Sequence, residues 1–304
     1  MIDFIISTLE QGFIFGIVGL GVYITYKILD FPDMTIDGTF PMGAAVTAVC
    51  LTKGINPFAA CIISLILGMI GGMVTGILHV KFKISSLLSG ILVMIGLYSI
   101  NLRIMGKSNV PFFGFDTIFT VTSFMKPVLL LGLFAVGIKL VLDVFLKTKL
   151  GYVLKAVGDN EQLVTSLGIN KDMIKVVGIS IANGLGALAG SVMAQNQGFA
   201  DVGMGTGTVV IGLAAVILGS SLLGKIKFIT VTTMTVSGAI LYKLAIAAAL
   251  RFGLSPNDLK LVTALIVIII LGTNNFKFSF KSVRKDEKGG EGVASNTKSV
   301  QSVQ

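Results

Sequence analysis

The stretch KTKLGYVLKAVGDNEQLVTSLGINKDMIK, Lys147 to Lys175, is the longest polar interruption in a chain that is otherwise mostly apolar. It carries Lys147, Lys149, Lys155, Lys171 and Lys175, yet its middle is patterned. Ala156, Val157, Leu163, Val164, Leu167 and Ile169 return at near-helical spacing, while Asp159, Asn160, Glu161 and Gln162 cluster on one turn. Gly158 before the run and Gly168 after it predict a helix of roughly two to three turns. A short amphipathic helix between two apolar spans suits docking onto another protein better than chemistry. A solvated loop with an incidental helix is the plainer alternative.

The rest of the chain sets that interruption in a membrane. Of 304 residues, 54% are hydrophobic and only 13% charged, with a mean hydropathy of +0.91. No soluble core of this size hides so much apolar surface, so the fold class is an all-α polytopic membrane protein. Thirty-seven glycines fit close helix packing in lipid. Gly68, Gly72 and Gly76 recur every fourth residue, and Gly186 and Gly190 do likewise, giving smooth faces for neighbouring helices. Cys50 and Cys61 make neither a disulfide framework nor a metal site and are read as packing residues. The lone His79 has no second ligand near it and is read as an interfacial group at a span end. No metal, cofactor or nucleic acid is expected, and the first apolar run lacks the basic flank and cleavage site of a signal peptide.

A span needs about 20 apolar residues. Nine segments are candidates: Leu9–Leu29, Phe40–Thr52, Pro57–His79, Ile84–Leu102, Lys126–Leu146, Asp172–Ala194, Gly207–Leu223, Phe228–Leu250 and Asp258–Gly272. Lysine and arginine then orient them. With Lys147–Lys175 cytoplasmic, alternation gathers sixteen basic residues on that side and six on the other. The N-terminus is then outside and the C-terminus inside. Residues 1–275 form the transmembrane domain. Residues 276–304, basic and rich in Lys, Gly, Ser and Gln, form a disordered cytoplasmic tail.

Several polar groups stand out. DFPDMTIDGTFP places Asp30, Asp33 and Asp37 beside Pro32, Gly38 and Pro41. Three carboxylates can form a cation site, and the breakers can interrupt a helix where protein or water satisfies the freed backbone. A plain cytoplasmic loop also fits. Asn101–Lys126 is long and external, with room for a short helix or lid. Gln195, Asn196 and Gln197 end the sixth span, where they contact a polar solute or only cap a helix. Asp33 and Asp201 both open an acid, Gly/Thr-rich linker followed by a small-residue helix, a hint of two related halves. Lys139 and Asp143 share a helix face and can neutralise one another. Lys243 either snorkels to the interface or lines a cavity. Gly219 to Ile226 nearly spells a phosphate-binding loop, but Ile226 replaces the magnesium-ligating hydroxyl and a span replaces the strand. No catalytic constellation is present, so the chain is not read as an enzyme.

Gly-Asp-Asn-Glu from 158 and Ser-Leu-Gly-Ile-Asn from 166 resemble the cytoplasmic coupling loop of ABC-importer permeases of the branched-chain amino acid and ribose type. The resemblance continues through Asn183–Gly190 and Val210–Gly219 and covers most of residues 10 to 275. Ile28–Pro41 and Ser99–Asn109 resemble a narrower, tryptophan-type branch. This resemblance implies a permease subunit of a binding-protein-dependent ABC importer for an amino acid. It implies a separate ATP-binding subunit, an extracellular or periplasmic substrate-binding protein, and a second permease copy in the bacterial plasma membrane. The coupling residues implied are Gly158, Asp159, Asn160, Glu161, Gln162, Leu163, Leu167 and Gly168. The candidate translocation path comprises Asp33, Asp37, Asn101, Asn183, Gln195, Asn196 and Lys243. An ion-coupled secondary transporter using the Asp30–Asp37 or Lys243 charges is the alternative.

Overall fold

The computed structural model describes residues 2–224, 226, 228–251, 261, 264–265 and 267–268. Seven helical segments in them are long and apolar enough to cross a membrane, and an eighth, shorter one joins them. They are α1 (Ile2–Val22), which runs on into a π-helix (Tyr23–Ile28), the short α2 (Ile36–Thr52), α3 (Pro57–Phe82) and α4 (Ser86–Met105). After them come α6 (Pro127–Phe145), α9 (Lys171–Gln197), α10 (Thr208–Leu223) and α11 (Val231–Arg251). The chain is therefore a multi-pass, all-α membrane protein. The expected ninth span, Asp258–Gly272, and the basic tail lie outside the described residues, as does Lys225 of the loop-like Gly219–Ile226 run.

Two packed groups make up the bundle. In the first, α9 is central. Gly68, Gly72 and Gly76 of α3 approach Ala187, Ile179 and Val176 of α9 in turn, so these two helices run antiparallel with their backbones close. The anticipated glycine face is thus a helix-packing face. On the other side α2 runs parallel to α9 in a repeating register. Thr39 meets Asn183, Gly43 meets Ala187 and Thr47 meets Ser191, each pair advanced by one turn. The fourth helix, α4, lies against α2, with Gly90 beside Asp33 and Gly38 beside Leu97.

The second group is α1, α10 and α11, with α6 at its edge. Gly12, Gly16 and Gly19 of α1 meet Ile240, Val236 and Thr235 of α11. Gly219 of α10 sits on Met234. Gly21 of α1 abuts the Ala182 carbonyl of α9 and joins the groups. Between the long helices, Asn109–Pro111 (β1) and Phe199–Asp201 (β2) pair antiparallel, and Ile118–Val121 forms the short α5. The Asn101–Lys126 segment thus carries one strand of a two-stranded sheet and a short helix.

The polar interruption departs from the sequence expectation. Instead of one helix between Gly158 and Gly168, it forms α7 (Lys149–Asp159) and α8 (Glu161–Ser166), broken at Asn160. Asn160 closes α7 in an extended conformation while its side chain accepts from the Leu163 amide at 3.0 Å. A residue that caps the next helix cannot also continue the previous one. Gly158 is therefore the penultimate residue of a longer helix. Gly168, at φ +74, supplies the left-handed stop that the sequence predicts.

Candidate functional site

Between α1 and α2 the backbone leaves helical geometry. The π-helix tightens nothing. It widens the turn, with the Leu29 amide donating to the Ile24 carbonyl five residues back at 3.0 Å. Phe31 then donates to Thr25 at 2.9 Å, and Asp30 takes a left-handed φ of 50. The chain stays non-helical through Met34 before α2 begins. This is the interrupted helix that Pro32 and Gly38 suggest.

Asp33 is buried at the end of the break. Its Oδ1 accepts from the Thr35 amide at 2.8 Å and its Oδ2 from Asn183 Nδ2 at 2.7 Å. Asn183 Oδ1 in turn accepts from the Thr39 hydroxyl at 3.0 Å, and Thr35 exchanges a 2.8 Å hydrogen bond with Thr75. Asn183 lies twelve residues into α9, so this network is roughly 18 Å from the helix start at 1.5 Å per residue. The network satisfies the Thr35 amide and ties the buried side chains beside the break to α3 and α9. The carboxylate also faces the N-terminus of α2, where the helix dipole favours negative charge.

Asp37, one turn on, serves another helix. Its Oδ2 accepts from the Gly207 amide at 2.9 Å. Its Oδ1 accepts from the Thr208 hydroxyl at 2.7 Å and the Val209 amide at 2.8 Å. These are the orphan donors at the start of α10, so Asp37 caps a helix 170 residues away in sequence. Asp201 makes the same local turn as Asp33, accepting from the Gly203 amide two residues on at 2.7 Å. The two acid-led linkers thus share a turn geometry as well as a composition.

The remaining path candidates are dispersed. Gln195 is buried, accepts from the Ile118 amide at 2.9 Å and donates to Cys61 Sγ at 3.2 Å. Asn196 beside it is half-buried. Asn101 is buried and donates to the Gly38 carbonyl at 3.2 Å, while its Oδ1 has no hydrogen-bond partner among the described residues. Lys243 donates to Gln11 Oε1 at 3.3 Å and stands 3.8 Å above the Phe15 ring, in the α1–α11 seam. So Asp33 and Asn183 come together, Asp37 stands next to them, and the other four do not join them. Thr35, Thr39 and Thr75, which complete the network, had no distinguishing mark in the sequence.

The polar Lys147–Lys175 segment is tied to this break. A Cβ at Gly158 would overlap the Ile28 carbonyl oxygen, so α7 lies directly on the last residue of the π-helix. Leu29 and Leu154 of α7 both pack against Gly178 of α9. Lys155 donates to the Leu146 carbonyl at 3.2 Å and secures α7 to the end of α6. Glu161 pairs with Lys171 at 2.9 Å and also with Lys175, tying α8 to the first turns of α9. Those two lysines hold the Glu161 carboxyl down at a pKa of about 2. Val164 is buried, but Leu163 and Leu167 are 55% and 68% exposed, four residues apart on the outer face.

Over residues 4–272 the chain matches the family model described as branched-chain amino acid transport system / permease component. It is 53% identical over 277 residues to the tyrosine transport system permease protein of Clostridioides difficile, covering 91% of this chain and 93% of that one. It is 34% identical over 278 residues to an uncharacterized protein of Rickettsia prowazekii, covering 89% and 98%. With the Autoinducer 2 import system permease protein LsrC of Salmonella typhimurium it shares 32% identity over 216 residues, 69% of this chain and 59% of the relative. No solved structure matches the chain.

Proposed function

The chain belongs to the branched-chain amino acid permease family of ABC-type transport systems, and from that premise we propose that it is the membrane subunit of an ATP-driven amino acid importer. Tyrosine or a closely similar aromatic amino acid is the solute class, by the relative that shares 53% of its residues. A separate ATP-binding subunit docks on α8, and an extracellular substrate-binding protein delivers the solute to the outer face. Two copies form the pathway, with N-termini outside and C-termini in the cytoplasm. Residues 1–275 are the permease domain and 276–304 a tail dispensable for transport.

The observation that carries the reading is the contact of α7 with the π-helix and Leu29. ATP binding draws the two ATPase subunits together, and α8 moves with the groove that holds Leu163 and Leu167. The Glu161 pairs and the short Asn160 link pass that displacement to α7 and α9. Through Ile28 and Leu29 it reaches the break at Asp30–Met34, where the Asp33–Asn183 network acts as the hinge. Each nucleotide state must bind one permease conformation better than the other, since only differential affinity shifts such an equilibrium.

The ion-coupled alternative is less well supported, because each carboxylate oxygen of Asp33 and Asp37 already accepts from an amide or hydroxyl donor of the protein. The test is uptake of radiolabelled tyrosine into vesicles holding the permease, its ATPase and the binding protein. ATP-dependent uptake that survives ionophores supports the proposal. Uptake without ATP that collapses with the ion gradient overturns it.

A further inference from the structure

Lys243 and Gln11 face one another across the seam of α1 and α11. At about 1.5 Å per residue, Val231–Arg251 matches the ~30 Å hydrocarbon core, and Lys243 stands close to its middle residue, Leu241. Gly12 meets Ile240 and Gly16 meets Val236, so the two helices run antiparallel. The same pairing sets Gln11 level with Leu241 and Phe15 level with Ser237, both on the side of Lys243 away from Arg251. The Lys243 amine donates to Gln11 Oε1 at 3.3 Å and lies 3.8 Å from the centre of the Phe15 ring. It therefore reaches across to α1 and does not snorkel towards its nearer helix end. Phe15 is itself held by stacking on Phe40 of α2, with centroids 6.0 Å apart.

The pair is rich in donors and lacks an acceptor. An ammonium carries N–H donors only, so the Gln11 amide oxygen must face it and Gln11 Nε2 must face away. The Nε2 donors and the remaining Lys243 N–H have no partner among the described residues. The ion pairs among those residues are Lys139–Asp143, Lys171–Glu161 and Lys175–Glu161, so no carboxylate neutralises Lys243. Lys243 and Gln11 are both half-buried, which leaves their free donors open to what lies beside the seam. Lipid tails offer no acceptor, and a lone cation near the bilayer centre is costly unless it faces water or a ligand. The complement of such a donor set is an anion that accepts more than one hydrogen bond, as a carboxylate does with its two oxygens.

We propose that Lys243 and Gln11 bind the α-carboxylate of the amino acid as it crosses the membrane, Lys243 supplying the charge and Gln11 Nε2 a second donor. This rests on the amino acid importer reading and adds which group of the solute the permease recognises.

The experiment measures equilibrium binding to the full chain in lipid nanodiscs, without the substrate-binding protein, whose own selectivity would mask that of the permease. The probes are tyrosine, 3-(4-hydroxyphenyl)propionate, which keeps the carboxylate and lacks the ammonium, and tyramine, which does the reverse. Tyrosine and the propionate should bind at least about tenfold more tightly than tyramine, the discrimination that one charge-assisted hydrogen bond supplies. Lys243→Met should erase that preference, and Lys243→Arg should keep it. Gln11→Glu should also erase it while raising the thermal midpoint, because the new carboxylate pairs with Lys243 and occupies its donors. A merely structural Lys243 would give a stable Gln11→Glu chain with its preference intact, and that result overturns the proposal. An unchanged preference in Lys243→Met overturns it too, as does a lack of saturable binding of the carboxylate probes to the unaltered chain. These readouts use neither ATP nor transport, so the vesicle uptake assay decides the importer reading separately.

Discussion

The backbone at Gly158 rests on the carbonyl of Ile28, with no room for a single methyl group between them. This contact joins the polar Lys147–Lys175 segment to the unwound Asp30–Met34 stretch. Gly158→Ala should force α7 away from the π-helix while leaving membrane insertion intact. We expect at least a tenfold loss of uptake per ATP hydrolysed. Gly168→Asn, at a left-handed position that asparagine tolerates, should cost little. Equal uptake per ATP in Gly158→Ala and the parent would remove the contact from the mechanism.

Asn183 bridges Asp33 and Thr39 beside the helix break. Asn183→Ala strands a buried carboxylate oxygen and a hydroxyl, a loss of about 1–3 kcal/mol for such unsatisfied groups. Thr39→Val, which removes one interhelical hydrogen bond, should cost only about 0.6 kcal/mol. Denaturation midpoints in detergent check both. A double-mutant cycle of Asp33→Asn with Asn183→Ala should be non-additive by about 0.5–3 kcal/mol, and strict additivity would show that the pair does not act as a unit.

Which parts of this arrangement were legible in the sequence follows from the range of the forces involved. Hydropathy located eight helices, seven of them long and apolar enough to cross a membrane, because burying apolar residues in lipid is local to each helix. The break after Leu29 was visible in Pro32, Gly38 and the three aspartates. The α2–α9 register was not, because Thr39 and Asn183 lie 144 residues apart and each is unremarkable alone. Asp37 is a similar case. As an acid near a membrane it suggested an ion site, and only the fold shows that its partners are the first amides of α10. In the polar Lys147–Lys175 segment, Gly168 was read correctly as a stop. Gly158 was read as a start because a helix glycine required by contact with another backbone looks the same in sequence as one required by a turn.

Asp37→Ala should weaken the start of α10 by about 0.5–2 kcal/mol, as for other lost N-caps. Asp37→Asn keeps an acceptor and should cost less. The local signature is faster hydrogen exchange at the Gly207 and Val209 amides, with α11 unaffected. Uniform exchange changes across the bundle would instead mean that Asp37 supports the whole fold.

The Glu161 tether has a defined pH range. Its pKa is held at about 2 in the folded chain against an ordinary 4.5, so its contribution is complete above about 4.5 and is lost as pH falls through about 2. Docking of α8 against α9 should therefore not change between pH 5 and 8. Hydrogen exchange at the α8 amides should show no pH effect beyond the intrinsic rate in that interval. Glu161→Gln should raise α8 exchange by the same factor at both ends. An opening that varies between pH 5 and 8 in the parent would assign the tether to another group.

The central claim is that α8 couples this permease to an ATPase. Leu163 and Leu167 are the exposed apolar pair available for it, and burying one leucine is worth about 1.5–3 kcal/mol. Replacing both by aspartate should lower ATPase co-purification at least a hundredfold and abolish ATP-driven uptake. Insertion, and binding of the substrate-binding protein at the outer face, should be unaffected. Co-purification and uptake at parental levels in the Leu163→Asp, Leu167→Asp double variant would contradict the account.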